Sequence, residues 1–583
     1  MKRNRLLNRV RVLLDGQLTP ANALDKAAAS HPDSPIFHLP SPGPYRALPG
    51  VAVTPAELLG FANRVGNVLL DNGLRRGDRV AIYHTNGAEY FFLALAVVKA
   101  GGTAVPINPG MAVDGLRRHL AAAGCRLVLT DARQFTERIG DHAAVPEVTV
   151  WFFPDLPSGF TGKGVGLNEA TATASADLAP VDLAPDDPVL LVHTSGTTGR
   201  PKLVPSTSAR LASGIKRHYV DEPITRRTRT AVAGHFNHLV YYVGFYSSLM
   251  GNLPVWPISD HSVQSIAGTV ARERIAIFFA FPDVYARIYR HGLPPRAFDS
   301  IRIWVTTADA SHEAHVREFC RAGAYLRVAG RPVVPSLFVE AFGTSEVGFA
   351  ALRRIRSRFS PPRYDRCVGR RTLGGPRSRV VGPDGRRARA GEVGRIEVNG
   401  PTVFAGYWDP DDVQRHEGPH AGWWWTGDLG RRDRLGRIHQ LDRAVDVVRT
   451  TSGPVYGLPL EEKLLTHPAV ADAVVIGVPH PDGGDVPVAL ISLRDGAALD
   501  GAELRAWATE AAGLRDARIV GEEEVPRGLT GKVLRRVLRE RHAGWFGSGE
   551  QEPGRQPERG LGHPVLPGQQ ERGGVVHDGR GAS

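Results

Sequence analysis

The sequence predicts an α/β protein, in which a large N-terminal domain of parallel-sheet subdomains and a β module precedes a smaller α+β domain. Three observations support this prediction. Apolar runs of strand length alternate with helical repeats from residue 54 to about residue 310. Short strands between Gly and Asp turns follow residue 375, and a second alternation of strands and helices begins near residue 442. At 583 residues, the chain is also too long for one ordinary hydrophobic core.

The stretch from residue 54 to residue 109 shows the alternation most clearly. "TPAELLGFANRVGNVLLDNGL" repeats apolar residues at helical spacing, and "RRGDRVAIYHT" contains a turn followed by a short apolar strand. "GAEYFFLALAVVKAGG" predicts a buried helix closed by glycines, and "TAVPIN" predicts the next strand. Strand, helix and strand with short links predict a parallel sheet with right-handed crossovers.

The later segments define the remaining organisation. "CRLVLTD", "DDPVLLVHTS", "IAIFFAFP" and "IRIWVTTADA" continue the α/β pattern, and "SRVVGPDGRRARAGEVGRIEVNGPTVFAGYW" predicts an antiparallel β module. "PLEEKLLTHP", "VADAVVIGVP" and "PVALISL" predict a helix and two strands of a second domain. We therefore predict domains at residues 1–441 and 442–541. Residues 542–583, rich in Gly, Pro and Gln, are predicted to be a disordered tail.

The composition is that of a globular protein, with 42% hydrophobic and 23% charged residues. No apolar run is long enough to span a bilayer, so we expect no integral membrane segment. The net charge is +12, but the arginines are scattered and no basic run is interleaved with aromatics, so we expect no nucleic-acid partner. Cys125, Cys320 and Cys367 have no metal-binding spacing, and so few thiols favour a reducing cytoplasm.

A run of small and hydroxyl-bearing residues follows the apolar strand at residues 189–192, in "VHTSGTTGRPK". Small residues let backbone N–H groups approach an anion, hydroxyls add donors, and Arg200 and Lys202 add positive charge. The segment therefore predicts a triphosphate site rather than a mobile surface turn. It is not a Walker A loop, because Pro201 separates Lys202 from the glycines, and its glycine spacing is not that of a dinucleotide-binding fold.

The segment "TSGTTGRPK" resembles the signature of the AMP-forming, adenylate-forming superfamily, which includes acyl-CoA synthetases, peptide-synthetase adenylation domains and firefly-type luciferases. The resemblance extends over residues 54–536 and is greatest to an acyl-CoA ligase. The companion motifs follow in the family's order: "LALAVVKAGGTAVPINP", "AFGTSEVG" for Tyr-Gly-x-Thr-Glu, "GEVGRIEVNGP" with "GYW", "WTGDLG", the hinge region "DRAVDVVRTTSG", and "PRGLTGKVLRR".

The resemblance implies that the protein activates a carboxylic acid in two half-reactions. The carboxylate attacks the α-phosphate of ATP to give an acyl-adenylate and pyrophosphate, and a thiol then attacks the acyl carbon and releases AMP. Negative charge develops in both steps, so fixed donors and cations should dominate catalysis. The implied cofactors are ATP, Mg²⁺ and coenzyme A, with the phosphopantetheine thiol of a carrier protein as the alternative acceptor.

The resemblance also implies roles for individual motif residues. Lys532 would reach from the small domain to the carboxylate and the α-phosphate, Thr344 would contact the α-phosphate, and Glu346 would help to hold Mg²⁺. Asp428 would accept hydrogen bonds from both ribose hydroxyls, and Arg443 would lie near the ribose and phosphates. The other implied nucleotide-binding residues are Thr194, Ser195, Gly196, Thr197, Thr198, Gly199, Lys202, Phe342 and Gly343.

The small domain is expected to be mobile. In the second half-reaction it would swing, so that the loop at residues 450–453 replaces the loop that carries Lys532. The sequence departs from the family pattern at the motif aromatic, which is Phe342 rather than tyrosine, and at Val445, where the hinge residue is commonly Asp or Lys. Asp309 stands in the segment that would line the adenine.

The acid pocket is predicted at "GHFNHLVYYVGFYSS", where His238 matches the family's gate near the acyl group. His235 and His238 also raise the possibility of a zinc site, but further ligands are lacking nearby, so a packing or gating role is favoured. The aromatic and aliphatic residues favour a fatty or aryl acid. We therefore predict a CoA ligase for such an acid, with a carrier-protein-loading acyl-AMP ligase and a catalytically degenerate nucleotide-binding protein as the alternatives.

Overall fold

The computed structural model describes residues 11–194, 202–221, 228–309, 311–372, 374–408, 421–528 and 531–546. Two large sheets form a large lobe, and the chain after Arg443 forms a small lobe around a third sheet. The predicted α/β class is confirmed, and the chain leaves the large lobe close to the predicted boundary at residue 442. The domain bounds themselves stay a prediction.

The first sheet has seven strands, of which all neighbours are parallel except the last pair. In spatial order they are Gly164–Gly166, Val150–Phe153, Leu127–Thr130, Arg79–Tyr83, Thr103–Pro106, Pro188–Thr194 and Lys202–Thr207. The accompanying helices are Pro55–Asp71, Glu89–Lys99, Val113–Ala123, Ala132–Arg138 and Leu167–Thr173, with a 3₁₀ turn at His142–Ala144.

Two helices show how the sequence determines the structure around the first sheet. Pro55–Asp71 begins at a capping box, because the Thr54 side chain accepts from the Glu57 N–H and the Glu57 carboxylate accepts from the Thr54 N–H. Glu89–Lys99 is apolar on nearly all sides and therefore lies buried. Its Phe91 packs against Phe37 and Phe245, which belong to the second sheet and its helices, so the two layers share one core.

The second sheet has thirteen strands and changes from parallel to antiparallel pairing after strand Leu337–Phe342. The predicted antiparallel β module is therefore a continuation of the parallel sheet. The short pair at the other edge of the second sheet, Phe37–His38 with Ala52–Val53, is also antiparallel. In spatial order the strands are Arg377–Val381, Val393–Asn399, Trp424–Arg432, Ile438–Arg443, Cys367–Arg371, Leu352–Arg356, Leu337–Phe342, Ile303–Thr307, Ile277–Ala280, Thr230–Ala233, Val255–Ile258, Phe37–His38 and Ala52–Val53.

Helices cover the parallel part of the second sheet, and a separate hairpin lies beside it. The helices are Ala23–Ser30, Ser208–Asp221, Leu239–Gly251, Val263–Glu273, Pro282–His291 and Glu313–Phe319, and the hairpin strands are Ala324–Val328 and Arg331–Pro335. None of the helices in the described ranges is long and apolar enough to cross a membrane.

The small lobe has a three-stranded sheet and a short hairpin. The sheet strands are Val470–Pro479, Asp485–Leu493 and Asp516–Ile519, and the hairpin strands are Val448–Thr450 and Gly453–Val455. Its helices are Gly457–Leu464, Gly501–Ala512 and Arg535–Arg541, with a 3₁₀ turn at Glu522–Glu524.

The small lobe continues past residue 541, where the disordered tail was predicted to begin. Trp545 is buried, donates to the Asp516 carboxylate at 2.8 Å, and has the Arg518 guanidinium 3.9 Å from its ring centroid. A large aromatic side chain that finds a partner for its indole N–H and a cation for its ring face is held in place by these contacts. The remainder of the predicted tail, residues 547–583, lies outside the described residues.

Candidate active site

A cleft lies between the two lobes, at the carboxyl ends of three parallel strands of the second sheet. The main cavity, which most of the described predicted site residues line, has a volume of about 420 Å³. A larger adjoining cavity of about 530 Å³ extends toward the small lobe. Ligands commonly bind at this edge of open α/β sheets. Among the predicted site residues, Thr194, Lys202, His238, Gly343, Thr344, Glu346, Arg443 and Lys532 line the first cavity, and Phe342, Gly343, Thr344, Asp428, Arg443 and Lys532 line the second.

The two described ends of the predicted phosphate segment lie side by side. Strands Pro188–Thr194 and Lys202–Thr207 pair antiparallel, with Thr194 opposite Lys202. The Lys202 ammonium lies 4.8 Å from the ring centroid of Tyr407. One hydroxyl and one cation therefore meet at the cavity wall. The intervening Ser195, Gly196, Thr197, Thr198 and Gly199 lie outside the described residues.

A tight turn after strand Leu337–Phe342 presents Thr344 and Glu346 to the cavity. The Thr344 carbonyl accepts from the Gly348 N–H at 3.0 Å, and Gly348 adopts φ = 73°, which glycine tolerates without strain. The Tyr407 hydroxyl donates to Glu346 Oε1 at 2.9 Å. Thr344 Oγ1 is buried and makes no hydrogen bond to the described residues, so this hydroxyl is available to a ligand in the cavity.

The sequence prediction gave the α-phosphate contact to Thr344 and overlooked the neighbouring Ser345. Counted along Tyr-Gly-x-Thr-Glu, Phe342 occupies the aromatic position and Ser345 the hydroxyl position, so Thr344 stands at the variable position. Ser345 also lines the main cavity, and its carbonyl accepts from the buried Arg210 guanidinium. The order of the motif contained this signal, and both hydroxyls are candidates for the α-phosphate contact.

Asp428 and Arg443 are directly opposite each other on neighbouring strands. Asp428 is buried, and its Oδ1 accepts from Gln440 Nε2 at 2.9 Å. Burial raises the pKa of Asp428, whereas the positive charge of Arg443 and a smaller contribution from Lys532 oppose that rise. The arrangement is a buried carboxylate whose charge is supported by two cations. Gln440 is a further residue that the sequence reasoning missed, since an isolated Gln in a strand carries no motif.

Lys532 extends from the small lobe into the cleft and lines both cavities. The preceding Gly531 has φ = 75°, and a Cβ there would lie 2.6 Å from the Asp283 carboxylate carbon. Only glycine fits this approach of the loop to the large lobe. The Gly528 N–H donates to the Lys532 carbonyl at 2.8 Å, which closes the loop behind the side chain.

His238 lines the main cavity and directly precedes helix Leu239–Gly251. Burial, with the charges of His235 and Lys532, lowers the pKa of His238 to about 3. The imidazole is therefore neutral at physiological pH, which favours the predicted packing or gating role over proton donation. In the described ranges no group of three or more His, Cys, Asp or Glu side chains is arranged to hold a metal, so the zinc alternative for His235 and His238 gains no support.

The cavity wall that the sheet strands form near His238 is mostly apolar and carries the Arg353 guanidinium. Strands Ile277–Ala280, Ile303–Thr307 and Leu337–Phe342 present apolar side chains on one sheet face, and Arg353, opposite Ala341, projects from the same face. Asp309 lines the second cavity. The sequence reasoning missed Arg353, because it lies in an arginine-rich strand with no motif. The apolar lining residues are Leu239, Val240, Val243, Phe279, Phe281, Val305, Val339, Ala341, Phe349 and Ala350.

Family comparison decides what kind of protein carries this cleft. Residues 24–408 match the model of the AMP-binding enzyme family, and residues 459–532 match the C-terminal domain of AMP-binding enzymes. The chain belongs to the AMP-binding enzyme family. The two matches fall on the two lobes that form the cleft, and the predicted superfamily is confirmed.

Several relatives span nearly the whole chain. A sulfoacetate–CoA ligase from Cupriavidus necator is 31% identical, over 88% of this chain and 95% of its own. A 3-aminoavenalumate diazotase from a Streptomyces species is 29% identical, over 92% of this chain and 98% of its own. The ATP-bound crystal structure of MatB from Rhodopseudomonas palustris has a TM-score of 0.74 and 26% identity, covering 90% of this chain and 99% of that one.

The comparisons bear on the predictions at the level of the family. The fold and the AMP-binding enzyme assignment are confirmed, and the ligase among the relatives agrees with the predicted acid–thiol ligase class. The roles of the individual site residues stay a prediction, although the cleft gathers those that lie in the described ranges.

Proposed function

We propose that this enzyme activates an apolar carboxylic acid as its acyl-adenylate and transfers the acyl group to a thiol. The observation that carries the proposal is the gathering of Lys532, Thr344, Asp428 and Arg443 around one cleft, although they come from both lobes. Such a cleft offers separate partners for a carboxylate, a phosphate and a ribose. The family and its ligase members support the same reaction class.

In the first half-reaction, the acid carboxylate attacks the α-phosphate of ATP and pyrophosphate leaves. Lys532 approaches from the small lobe and stabilises the negative charge that develops on the carboxylate and α-phosphate oxygens. Thr344 and Ser345 provide hydroxyl donors on the other side. Arg443 and Asp428 hold the nucleotide by its phosphates and ribose, so that the α-phosphate meets the acid in a fixed orientation.

Glu346 fits the role of a Mg²⁺ ligand. It lines the main cavity, and its Oε1 accepts from the Tyr407 hydroxyl, so Oε2 would be the oxygen offered to the ion. Since no other carboxylate lines this cavity among the described residues, the remaining positions of the ion would be filled by phosphate oxygens and water, as Mg²⁺ prefers. The ion would supply charge neutralisation on the phosphates, while Glu346 and Tyr407 fix where it binds.

The second half-reaction requires a thiol to reach the acyl carbon. The hairpin of the small lobe is a candidate contact for the thiol-bearing substrate, since the turn between Thr450 and Gly453 is small and exposed. Thr450 Oγ1 donates to the Gly453 carbonyl at 2.7 Å. Val445, which lines the cleft between the lobes, is the candidate hinge. We infer coenzyme A as the acceptor, and a carrier-protein phosphopantetheine is the alternative.

The acid pocket supports an aryl or fatty acid. Phe279, Phe281 and Phe349 provide aromatic walls, and apolar surface of this kind favours a ring or an alkyl chain. Arg353 adds one cation to these walls, which could receive a polar or anionic group at the far end of an otherwise apolar acid. The ligase relative that acts on sulfoacetate is compatible with this inference.

Diazotisation of an aromatic amine is the second candidate, because the relative with the greatest coverage among those reported above is named a diazotase. In that reaction a nitrite oxygen, instead of a carboxylate, would attack the α-phosphate of ATP and pyrophosphate would leave. The aromatic amine would then attack the nitrosyl nitrogen and release AMP, and loss of water would give the diazonium group. A catalytically degenerate protein is a weaker alternative, since Lys532, Glu346 and Asp428 are all retained in the cleft.

The test is an acid-dependent ATP–pyrophosphate exchange assay over a panel of fatty, aryl and dicarboxylic acids. We expect exchange with at least one apolar acid, and release of AMP when coenzyme A is added. Release only with a carrier protein would select the alternative acceptor, and coupling-reagent detection of a diazonium product with nitrite and aminobenzoates would select the second candidate. The absence of exchange with every acid, in a protein that binds ATP, would contradict the proposed function.

A further inference from the structure

A buried ionic cluster joins the two lobes beside the cleft. Glu462 lies on helix Gly457–Leu464 of the small lobe. Its Oε1 accepts from Arg366 Nη1 at 2.9 Å and lies 3.1 Å from His312 Nδ1, and its Oε2 accepts from the Glu313 N–H at 3.1 Å. These three partners all belong to the large lobe, and the side chains of Glu462 and Arg366 are 1% and 2% exposed.

Arg366 adopts an unfavourable backbone conformation, which the contacts of its side chain compensate. Its φ of 54° lies in the left-handed region, which glycine adopts freely and residues with a Cβ adopt rarely. The guanidinium donates to the Ser311 carbonyl at 2.8 Å and to Gln440 Oε1 at 3.3 Å, in addition to Glu462. An unfavourable conformation persists where surrounding contacts compensate for it, and such positions concentrate at functional sites.

The cluster is continuous with the proposed ribose-binding carboxylate. Gln440 accepts from Arg366 with its amide oxygen, and its amide nitrogen donates to Asp428 Oδ1 at 2.9 Å. A chain of hydrogen bonds therefore runs from Asp428 through Gln440 and Arg366 to Glu462. It connects the nucleotide side of the cleft with the small-lobe helix.

We propose that Arg366 and Glu462 are positioning residues that hold the small lobe where Lys532 lies in the cleft, and that couple this position to Asp428. The inference rests on the proposed function for the roles of Lys532 and Asp428. The contact between the lobes is independent of that function. In this account, releasing Glu462 frees the small lobe to leave the cleft.

The charges of the cluster make it sensitive to the loss of any one member. Burial alone would raise the pKa of Glu462, but the hydrogen bonds and charges of His312 and Arg366 lower it to about 2. Glu462 is therefore ionised throughout the usable pH range. Removing one partner of a buried ion pair leaves the other charge uncompensated, which is far more costly than the loss of an exposed pair.

Two substitutions break the cluster in different ways. Glu462→Gln keeps the size of the side chain, but it replaces one acceptor oxygen with a donor, which must face Arg366, His312 or the Glu313 N–H. Arg366→Gly removes the guanidinium and at the same time suits the left-handed backbone. Glu522→Gln is the matched control, because Glu522 pairs across the same lobes with Arg290 at 2.7 Å but is 42% exposed.

The test compares hydrogen–deuterium exchange of the full-length chain and its three variants, in peptides covering residues 311–319 and 527–541. We expect both cluster variants to exchange roughly tenfold faster than the wild-type protein in these peptides, whereas Glu522→Gln does not. Unchanged exchange in Glu462→Gln, or unchanged exchange with a raised melting temperature in Arg366→Gly, would overturn the proposal. Because this measurement needs no substrate, it tests the contact between the two lobes even if the proposed function is wrong.

The half-reactions provide the second readout once an acid is identified. We expect adenylation by Glu462→Gln to fall roughly 10- to 100-fold, while acyl transfer from supplied acyl-adenylate changes by less than about threefold. Equal loss in both half-reactions would indicate a purely structural role and contradict positioning. Unimpaired acyl transfer also shows that the variant is folded.

Discussion

Replacing Lys532 with alanine removes the cation that the small lobe contributes to both cavities of the cleft. In the proposed reaction, its ammonium lies in contact with oxygens that gain charge in the adenylation transition state. Two unit charges about 4 Å apart interact by about 4 kcal/mol at an effective dielectric constant of about 20. Each 1.36 kcal/mol corresponds to a factor of ten in rate, so we expect adenylation to fall by roughly a factor of 10³.

The assay separates the two half-reactions. Pyrophosphate exchange reports adenylation, and thioester formation from chemically supplied acyl-adenylate reports acyl transfer, which we expect to change by less than about threefold. Lys463→Ala is the matched control, because Lys463 lies on the exposed side of helix Gly457–Leu464 in the same lobe. Equal loss in both half-reactions of Lys532→Ala, or a comparable loss in the control, would refute the reasoning.

Three further predictions follow from the site and its surroundings. Asp428→Asn should raise the KM for ATP roughly 10- to 100-fold with a smaller change in kcat, since hydrogen bonds to a charged group contribute about 1.5–3 kcal/mol; an unchanged KM would remove Asp428 from the ribose site. Arg353→Ala should raise the KM roughly tenfold for acids with a second anionic group and leave unsubstituted acids unaffected, as measured over matched acid pairs; equal effects on both members of a pair would contradict the assignment. Burial opposes the charged form of His312, but the Glu462 carboxylate raises the pKa of His312 above its ordinary value. The stability that His312 contributes should therefore be complete below about pH 6.5 and should be lost as the pH rises through the higher folded-state pKa. The difference in melting temperature between wild type and His312→Asn should therefore shrink with rising pH, and a difference that is constant from pH 5.5 to 9 would contradict this.

Much of the parallel framework could be predicted because its strands are buried on both faces. Ile277–Ala280 reads as a continuous apolar run, and helix Glu89–Lys99 is apolar on nearly all sides, so each segment reveals its own environment. The continuation of the second sheet could not be predicted. Strand Cys367–Arg371 pairs with Ile438–Arg443, and such distant pairing leaves no local pattern.

In the site, likewise, residues that stand in motifs could be predicted from the sequence and isolated residues could not. Lys532 and Asp428 stand in short motifs whose composition indicates their chemistry. Gln440, Arg353 and Arg366 are single polar residues in or beside strands, where a solvated side chain is the ordinary expectation. Their importance arises from what the fold brings next to them, and tertiary contacts of this kind are absent from a linear pattern.

The central claim is that the carboxylate of the substrate attacks the α-phosphate of ATP within this cleft. The most direct measurement uses an acid labelled with ¹⁸O in its carboxylate and follows the label by mass spectrometry after one round of thioester formation. The account predicts one ¹⁸O atom in the phosphate of AMP and none in pyrophosphate. Label in pyrophosphate, or product formation with unlabelled AMP, would contradict it.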